Sequence, residues 1–202
     1  MYRLLKYFIL VLAAGWLSLS VQAADLGPDA LAKNVTNEVL RIVRQDKEIA
    51  NGNTGKLHAL VEQKILPFFD FRHMTQLAVA KHWPKATPEQ QDSLTSEFKT
   101  MLVRTYSSSL ASVSDYKIEF KPFRAATGDG DVTVNTEVSK PGAPPIPIDY
   151  RLDKQGNGWK VFDVIVDNVS LVTVYRNSFN SEVRKGGIDG LIAALARRNQ
   201  KP

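Results

Sequence analysis

The 202-residue sequence contains no cysteine and only three histidines. The absence of cysteine excludes disulfide bonds, thiolate metal ligands and thiol nucleophiles. The histidines, His58, His73 and His82, show no metal-ligand spacing, because even the closest two are nine residues apart and do not share a helical face. We therefore expect no metal site and no cofactor.

The sequence also lacks the short motifs of common enzyme classes. It has no Gly-x-Ser-x-Gly elbow, no Walker loop and no dinucleotide-binding glycine pattern. The serines at 107–109 lie within a predicted helix, where serine is not a nucleophile without a neighbouring base. Segments 128–130 and 156–158, which contain glycine, are typical of hairpin turns. These absences leave the sequence without a recognised catalytic motif.

Charge is modest in amount and scattered along the chain. The sequence has 26 Lys and Arg against 21 Asp and Glu, a net charge of +5. Residues 1–23 contain two of the basic residues and no acidic one, so the remainder has a net charge of 24 − 21 = +3. The basic residues form no cluster, and we expect no nucleic-acid partner. A weak attraction to anionic lipid surfaces is compatible with this charge.

A long uncharged apolar run occurs only at the N-terminus. Arg3 and Lys6 precede the uncharged segment 7–19, and Val21-Gln22-Ala23 follows with small residues at the positions that signal peptidase reads. The alternative is a transmembrane anchor, which needs about 20 apolar residues. The shorter run favours a signal peptide over 1–23, cleaved after Ala23, and a single exported domain over 24–202.

Apolar periodicity divides the mature chain into helices, then strands, then helix again. Helical spacing predicts helices over 28–48, 56–66, 71–82 and 88–111. Thr87 and Gln90 form a capping box around Pro88 at the start of the fourth. A final helical region, 170–198, begins at a Ser170 cap and breaks at Gly186-Gly187.

Four strands are predicted between these helical regions, over 116–120, 132–138, 146–152 and 159–166. The first three alternate apolar and polar residues with a period of two, which indicates an antiparallel sheet covered on one side. The fourth is apolar on both faces except at Asp163. The fold class is therefore α+β, with a sheet of about four strands wrapped by N- and C-terminal helices.

Asp163 interrupts the most apolar strand, and a buried carboxylate is costly unless it is paired. One interpretation is a general base in a pocket. The other, which we favour because no second acid or base lies beside it, is a carboxylate on the outer sheet face, paired with a neighbour such as Arg151. Periodicity alone does not separate a filled core from a cavity, so the residues indicate an exported binding or interaction domain without naming a ligand.

Two stretches of the sequence contain further short motifs. They are FDFR at 69–72, ATPEQ at 86–90 and LVRTY at 102–106, then WKVFDV at 159–164, VSLV at 169–172 and YR at 175–176. In this order the motifs resemble the toluene-tolerance (MlaC) family of periplasmic phospholipid-binding proteins. The resemblance extends over about 30–196. One departure is Asp167-Asn168, where the family more often has an acidic residue followed by glycine.

The resemblance implies a twisted sheet wrapped by helices, similar to NTF2-like and cystatin-like folds, around a deep apolar cavity for phospholipid acyl chains. It implies a monomeric periplasmic carrier that moves lipid between membranes and maintains outer-membrane lipid asymmetry. The implied partners are an inner-membrane ABC transporter complex with an MCE-domain protein and an outer-membrane lipoprotein–porin complex. The alternatives are an enzyme on an NTF2-like scaffold that uses Asp163, and an assembly factor with a filled core.

The expected lipid-binding residues combine the inward side of the strands with the helices beside them. A lone carboxylate among acyl chains would cost several kcal/mol, so we expect Asp163 to point outward and its strand neighbours inward. Two tyrosines with polar tips are expected at the cavity mouth. The complete set is Leu102, Tyr106, Val132, Val134, Ile148, Tyr150, Phe162, Val164, Val166, Leu171 and Tyr175.

Overall fold

A computed structural model describes residues 26–123, 130–156 and 158–200. The predicted signal peptide, residues 1–23 with cleavage after Ala23, lies outside these residues, as do parts of the two predicted glycine turns. No helix in the described ranges has the length and apolarity needed to cross a membrane.

The described chain forms six α-helices and a five-stranded sheet. The helices are α1 (Pro28–Gln45), α2 (Lys47–Ala50), α3 (Thr54–Lys64), α4 (Phe71–Val79), α5 (Pro88–Tyr106) and α6 (Leu171–Gln200). Short 3₁₀ helices occupy Leu66–Phe68, Ala80–Lys85 and Ser107–Asp115. The strands are β1 (Lys117–Phe120), β2 (Asp131–Ser139), β3 (Ile146–Gln155), β4 (Gly158–Val166) and β5 (Val169–Ser170). The predicted α+β class is confirmed.

Side-chain caps define where several helices begin. The Thr87–Gln90 capping box is present at α5, as predicted. Asp70 accepts a hydrogen bond from the His73 backbone N–H and begins α4. Asp46 caps α2. The end of the predicted helix 28–48 is therefore a separate short helix. The fourth predicted helix, 88–111, ends instead at Tyr106 and continues as a 3₁₀ helix, because serine side chains compete for backbone partners there.

The sheet is an antiparallel meander in the order β1-β2-β3-β4-β5. Four strands match the prediction, and the short β5 is the addition. Residues directly opposite each other on antiparallel strands point to the same face. Val134, Tyr150 and Val164 are aligned in this way across β2, β3 and β4, and they mark what we call the inner face.

A bulge in β4 changes the expected alternation. Arg151 pairs with Asp163, and the next residue of β3, Leu152, pairs with Val161. Phe162 is therefore the extra residue, and an insertion of this kind shifts the side-chain period by one position. Val161 consequently shares the inner face with Val164, which simple alternation does not allow.

The other face of β4 is covered by a helical core. Phe162 packs there with buried residues of α4, α5 and α6, among them Met74, Phe98 and Phe179. Gly186 and Gly187 interrupt α6, as predicted, and Gly187 has a φ of 68°. This break lets the second half of α6 return Leu191 and Leu195 to the same core.

The turn between β4 and β5 has two residues, Asp167 and Asn168, with φ values of 49° and 65°. Positive φ at both central positions is the geometry of a type I′ hairpin turn, in which glycine is favoured. Asn168 is the position where the resemblance leads us to expect glycine. Asparagine tolerates this conformation better than most residues, so the departure leaves the turn intact.

We expect Asn168→Val to lower the free energy of unfolding by about 1–2 kcal/mol, because a β-branched residue is strained at positive φ. Asn168→Gly is the matched control and should equal or exceed the wild type in stability. Urea unfolding followed by circular dichroism measures both. Equal stability of the valine and glycine variants would contradict a type I′ turn at this position.

Two apolar cavities on the inner face of the sheet

The inner face of the sheet is not fully covered, and two apolar cavities adjoin it. The first, the α1 cavity, has a volume of about 260 Å³ and lies between α1 and the sheet. The second, the α5 cavity, has a volume of about 350 Å³ and lies towards the C-terminal end of α5. Ligand pockets in proteins typically measure about 300–1,000 Å³. The two cavities lie in or just below that range.

The two linings meet, and none of the described residues in either lining is charged. The shared residues are Ile65, Phe69, Leu110, Ile148 and Tyr150. The α1 cavity is also lined by Leu31, Val35, Val39, Ile118, Leu152 and Val161, among others. The α5 cavity adds Leu102, Val103, Tyr106, Val164, Val166 and Leu171, among others. Such a surface binds apolar chains and leaves a charged group outside.

Tyr150 is the polar side chain at the junction of the cavities. Burial, together with the negative charge of Asp149, raises the pKa of Tyr150 to about 12. The phenol is therefore neutral at any physiological pH, and the junction carries no charge.

The expected lipid-binding residues fall into three groups in the structure. Seven line the α5 cavity: Leu102, Tyr106, Ile148, Tyr150, Val164, Val166 and Leu171. Val132 and Val134 lie on the inner face but line neither cavity, because they pack in a cluster with neighbours such as Phe120 and Leu31. Phe162 and Tyr175 lie in the helical core.

Phe162 is a correction to the sequence-based orientation. The bulge in β4 turns its ring to the face opposite the cavities, where the ring stacks on His73 with centroids 4.5 Å apart. Val161 takes the inward position instead. Tyr175 is held between Phe98 and Phe179, and only its hydroxyl approaches the cavity rim, 3.5 Å from the Tyr106 hydroxyl.

Sequence reasoning missed the contribution of α1 and of the segment before α4. Leu31, Val35 and Val39 form the expected apolar stripe of α1, yet nothing in their spacing distinguishes a cavity wall from a filled core. Phe69 belongs to the FDFR segment, and its aromatic ring beside a proline-containing turn was the available signal. Val161 could not be assigned without the bulge.

Asp163 points away from the cavities, as expected, but its partners differ from the expected Arg151. Its carboxylate accepts hydrogen bonds from the Ser170 hydroxyl at 2.6 Å and from the Val172 backbone N–H at 3.2 Å. Only 2% of the residue is exposed. A carboxylate at the N-terminus of α6 is favoured by unpaired N–H groups and by the helix dipole. Arg151 lies over the Phe162 ring and pairs with Asp131.

Three side chains on the outer side of the sheet could together offer metal ligands. Asp70, His73 and Asp153 have ligand atoms within 4.8 Å of one another, a grouping that sequence spacing did not predict. These atoms already bond within the chain: His73 Nδ1 lies 3.0 Å from Asp153, and the Gln155 amide donates to Asp70. The grouping acts as a hydrogen-bond network that joins α4 to β3.

We expect Asp163→Ala to lower the free energy of unfolding by about 2–4 kcal/mol, because it leaves the half-buried Ser170 hydroxyl and the buried Val172 N–H without acceptors. Asp163→Asn retains an acceptor for Val172 and should lose less than half as much. Chemical denaturation of both variants measures the difference. An alanine variant as stable as wild type would show that the carboxylate does not stabilise α6.

The sequence matches one family model and is similar to known proteins over most of its length. The family model described as MlaC protein matches residues 33–197. The toluene tolerance protein ttg2D of Pseudomonas putida is 26% identical over 99% of this chain and 95% of its own length. The intermembrane phospholipid transport system binding protein MlaC of Haemophilus influenzae is 18% identical over 89% and 85% of the two chains.

A solved structure is similar over most of the chain. It is the phospholipid-binding protein from Ralstonia solanacearum, solved in complex with a phospholipid. The TM-score is 0.80 at 39% identity, and the match covers 86% of this chain and 97% of that one. Because the family model matches most of the sequence and the fold is similar to that of a solved relative, the chain belongs to the MlaC family.

Proposed function

We propose that the protein is a periplasmic carrier that encloses the acyl chains of a phospholipid in the α1 and α5 cavities. The observation that carries this proposal is the pair of adjoining, uncharged cavities on the inner face of the sheet. The Ralstonia relative, whose structure contains a phospholipid, supports the choice of ligand.

The physical need for a carrier follows from the hydrophobic effect. Exposing one methylene group to water costs about 0.8 kcal/mol, so a lipid with two long chains leaves a bilayer slowly. A protein that shields the chains needs an apolar cavity and no reactive group. The described cavity linings offer the first and contain no titratable group other than tyrosine.

The carrier would exchange lipid with complexes in both membranes. We infer an inner-membrane ABC transporter complex with an MCE-domain protein and an outer-membrane lipoprotein–porin complex as partners, because the chain belongs to the MlaC family. The N-terminal segment 1–23 would direct export, with cleavage after Ala23. This role would maintain the lipid asymmetry of the outer membrane.

The alternative of an enzyme that uses Asp163 is less well supported. Both carboxylate oxygens already accept hydrogen bonds from Ser170 and Val172. The side chain also lies on the face of β4 opposite the cavities, so a ligand in either cavity would not reach it.

Mass spectrometry of an organic extract tests the carrier function directly. We expect protein purified from a periplasmic fraction to yield phospholipid in stoichiometric amount, and its N-terminal sequence to begin at Ala24. An extract without lipid would contradict the carrier function and favour a filled-core assembly factor. An intact Met1 would contradict export by a cleaved signal.

Tryptophan substitutions test which side chains line the lipid space. Val164→Trp would fill part of the α5 cavity, and Val161→Trp would fill part of the α1 cavity. We expect both to lower the lipid recovered per protein while the melting temperature holds or rises, because the added ring occupies empty volume.

Ile165→Trp is the matched control, since Ile165 follows Val164 on the opposite face of β4. It should retain full lipid. If either inward position were part of a filled core, overpacking would cost about 1–3 kcal/mol and lower the melting temperature. That result, with lipid content unchanged, would contradict the cavity assignment.

A further inference from the structure

The rim of the α5 cavity contains a pair of tyrosine hydroxyls. Tyr106, the last residue of α5, lines the cavity and is 45% exposed, so its ring joins the apolar interior to solvent. Its hydroxyl lies 3.5 Å from that of Tyr175 on α6. Of the other polar side chains in this lining, Ser107 bonds to the Val103 carbonyl and Tyr150 lies at the inner junction.

Tyr175 is fixed in place more firmly than Tyr106. It is only 7% exposed, and its ring contacts Phe98 edge-on at 5.2 Å and Phe179 at 5.7 Å. A tyrosine hydroxyl has one proton to donate and two lone pairs to accept. When two hydroxyls pair, one proton is used between them and the other remains free. The pair therefore always presents at least one O–H donor to a ligand at the rim.

The positive charge of Arg198, on the same helix as Tyr175, acts on this pair. Burial, the largest influence, raises the pKa of Tyr175, as does its contact with Tyr106, whereas the positive charge of Arg198 acts to lower it. The Asn199 amide donates to the backbone carbonyl of Glu97 at 2.9 Å and to its carboxylate at 2.7 Å, which holds the end of α6 against α5. Arg198, the residue before Asn199, is exposed.

We propose that the hydroxyls of Tyr106 and Tyr175, together with the guanidinium of Arg198, bind the phosphate of the lipid head group at the rim of the α5 cavity. The inference rests on the proposed carrier function. O–H and guanidinium donors form charge-assisted hydrogen bonds with phosphate oxygens. The acyl chains occupy the uncharged interior, while the phosphate remains at the boundary with water, where its desolvation costs least.

A competition between two lipids with the same chains tests this site. The full mature protein is incubated with vesicles that contain equal amounts of dioleoyl phosphatidylglycerol and dioleoylglycerol, then reisolated, and both lipids are quantified by mass spectrometry. The two differ in the phosphate and its head group. We expect wild type to favour the phospholipid.

Two variants remove parts of the site. Tyr106→Phe/Tyr175→Phe removes both hydroxyls and keeps the rings, and Arg198→Gln removes the charge. We expect each to shift the lipid ratio towards dioleoylglycerol by roughly threefold to tenfold, the range that one or two charge-assisted hydrogen bonds provide. Total lipid per protein should stay constant, because phenylalanine at 106 keeps the ring that lines the α5 cavity.

The control is Arg197→Gln, which removes the adjacent exposed charge. It should retain the wild-type ratio. An unchanged ratio in the two site variants, with total lipid intact, would overturn the head-group site and leave the carrier function standing. Failure of wild type to take up either lipid would instead contradict the carrier function.

A second experiment distinguishes a site for the phosphate of a bound lipid from a site for free inorganic phosphate. Excess inorganic phosphate should leave the lipid ratio unchanged, because the enclosed chains hold the head group at a high local concentration. If inorganic phosphate shifts the wild-type ratio as the substitutions do, the rim is a site for free phosphate and the proposal is wrong.

Discussion

The bulge at Phe162 allows one strand to serve two different interiors. On one side of β4, Phe162 completes a close-packed helical core with α4, α5 and α6. On the other side, Val161 and Val164 both reach the inner face and line different cavities. Without the extra residue, alternation would turn one of these valines away from the lipid space. The bulge at Phe162 therefore lets β4 face the filled helical core on one side and both cavities on the other.

Asp163, the one buried carboxylate among the residues that the structure describes, fits the same arrangement. Asp163 pairs with Arg151 in the strand register beside the bulge, yet its side chain turns to Ser170 and the start of α6. This contact fixes where α6 begins, immediately after the β4–β5 hairpin. Helix α6 then supplies Leu171 to the cavity lining and the Tyr175 hydroxyl to the rim. The Asp163 carboxylate on the outer face of the sheet therefore helps to position both residues.

The sequence predicted the helices and strands more accurately than it predicted which residues line a cavity. The capping box, the glycine break and the period-two strands each have a local cause, so the start of α5, the interruption of α6 and the four main strands were correctly predicted. The short β5 and the inward turn of Val161 depend on the β4 register, which no local pattern specifies. The partner of Asp163 could not be predicted, because the predicted helix start at Ser170 does not indicate that this end of α6 lies against Asp163. The walls contributed by α1 were predicted as an apolar stripe, but a stripe packed against a core and one that lines a cavity have the same spacing.

Empty volume has a thermodynamic consequence for a protein that must give its ligand away. In engineered cores, a sealed cavity destabilises by about 24 cal/mol per Å³, because the atoms around it lose packing contacts. The helical core around Phe98 and Phe162, which lines little of the cavities, can keep the unloaded protein folded. Because the empty cavities weaken only the inner face of the sheet, a lipid that leaves does not unfold the rest, and the same molecule can accept another.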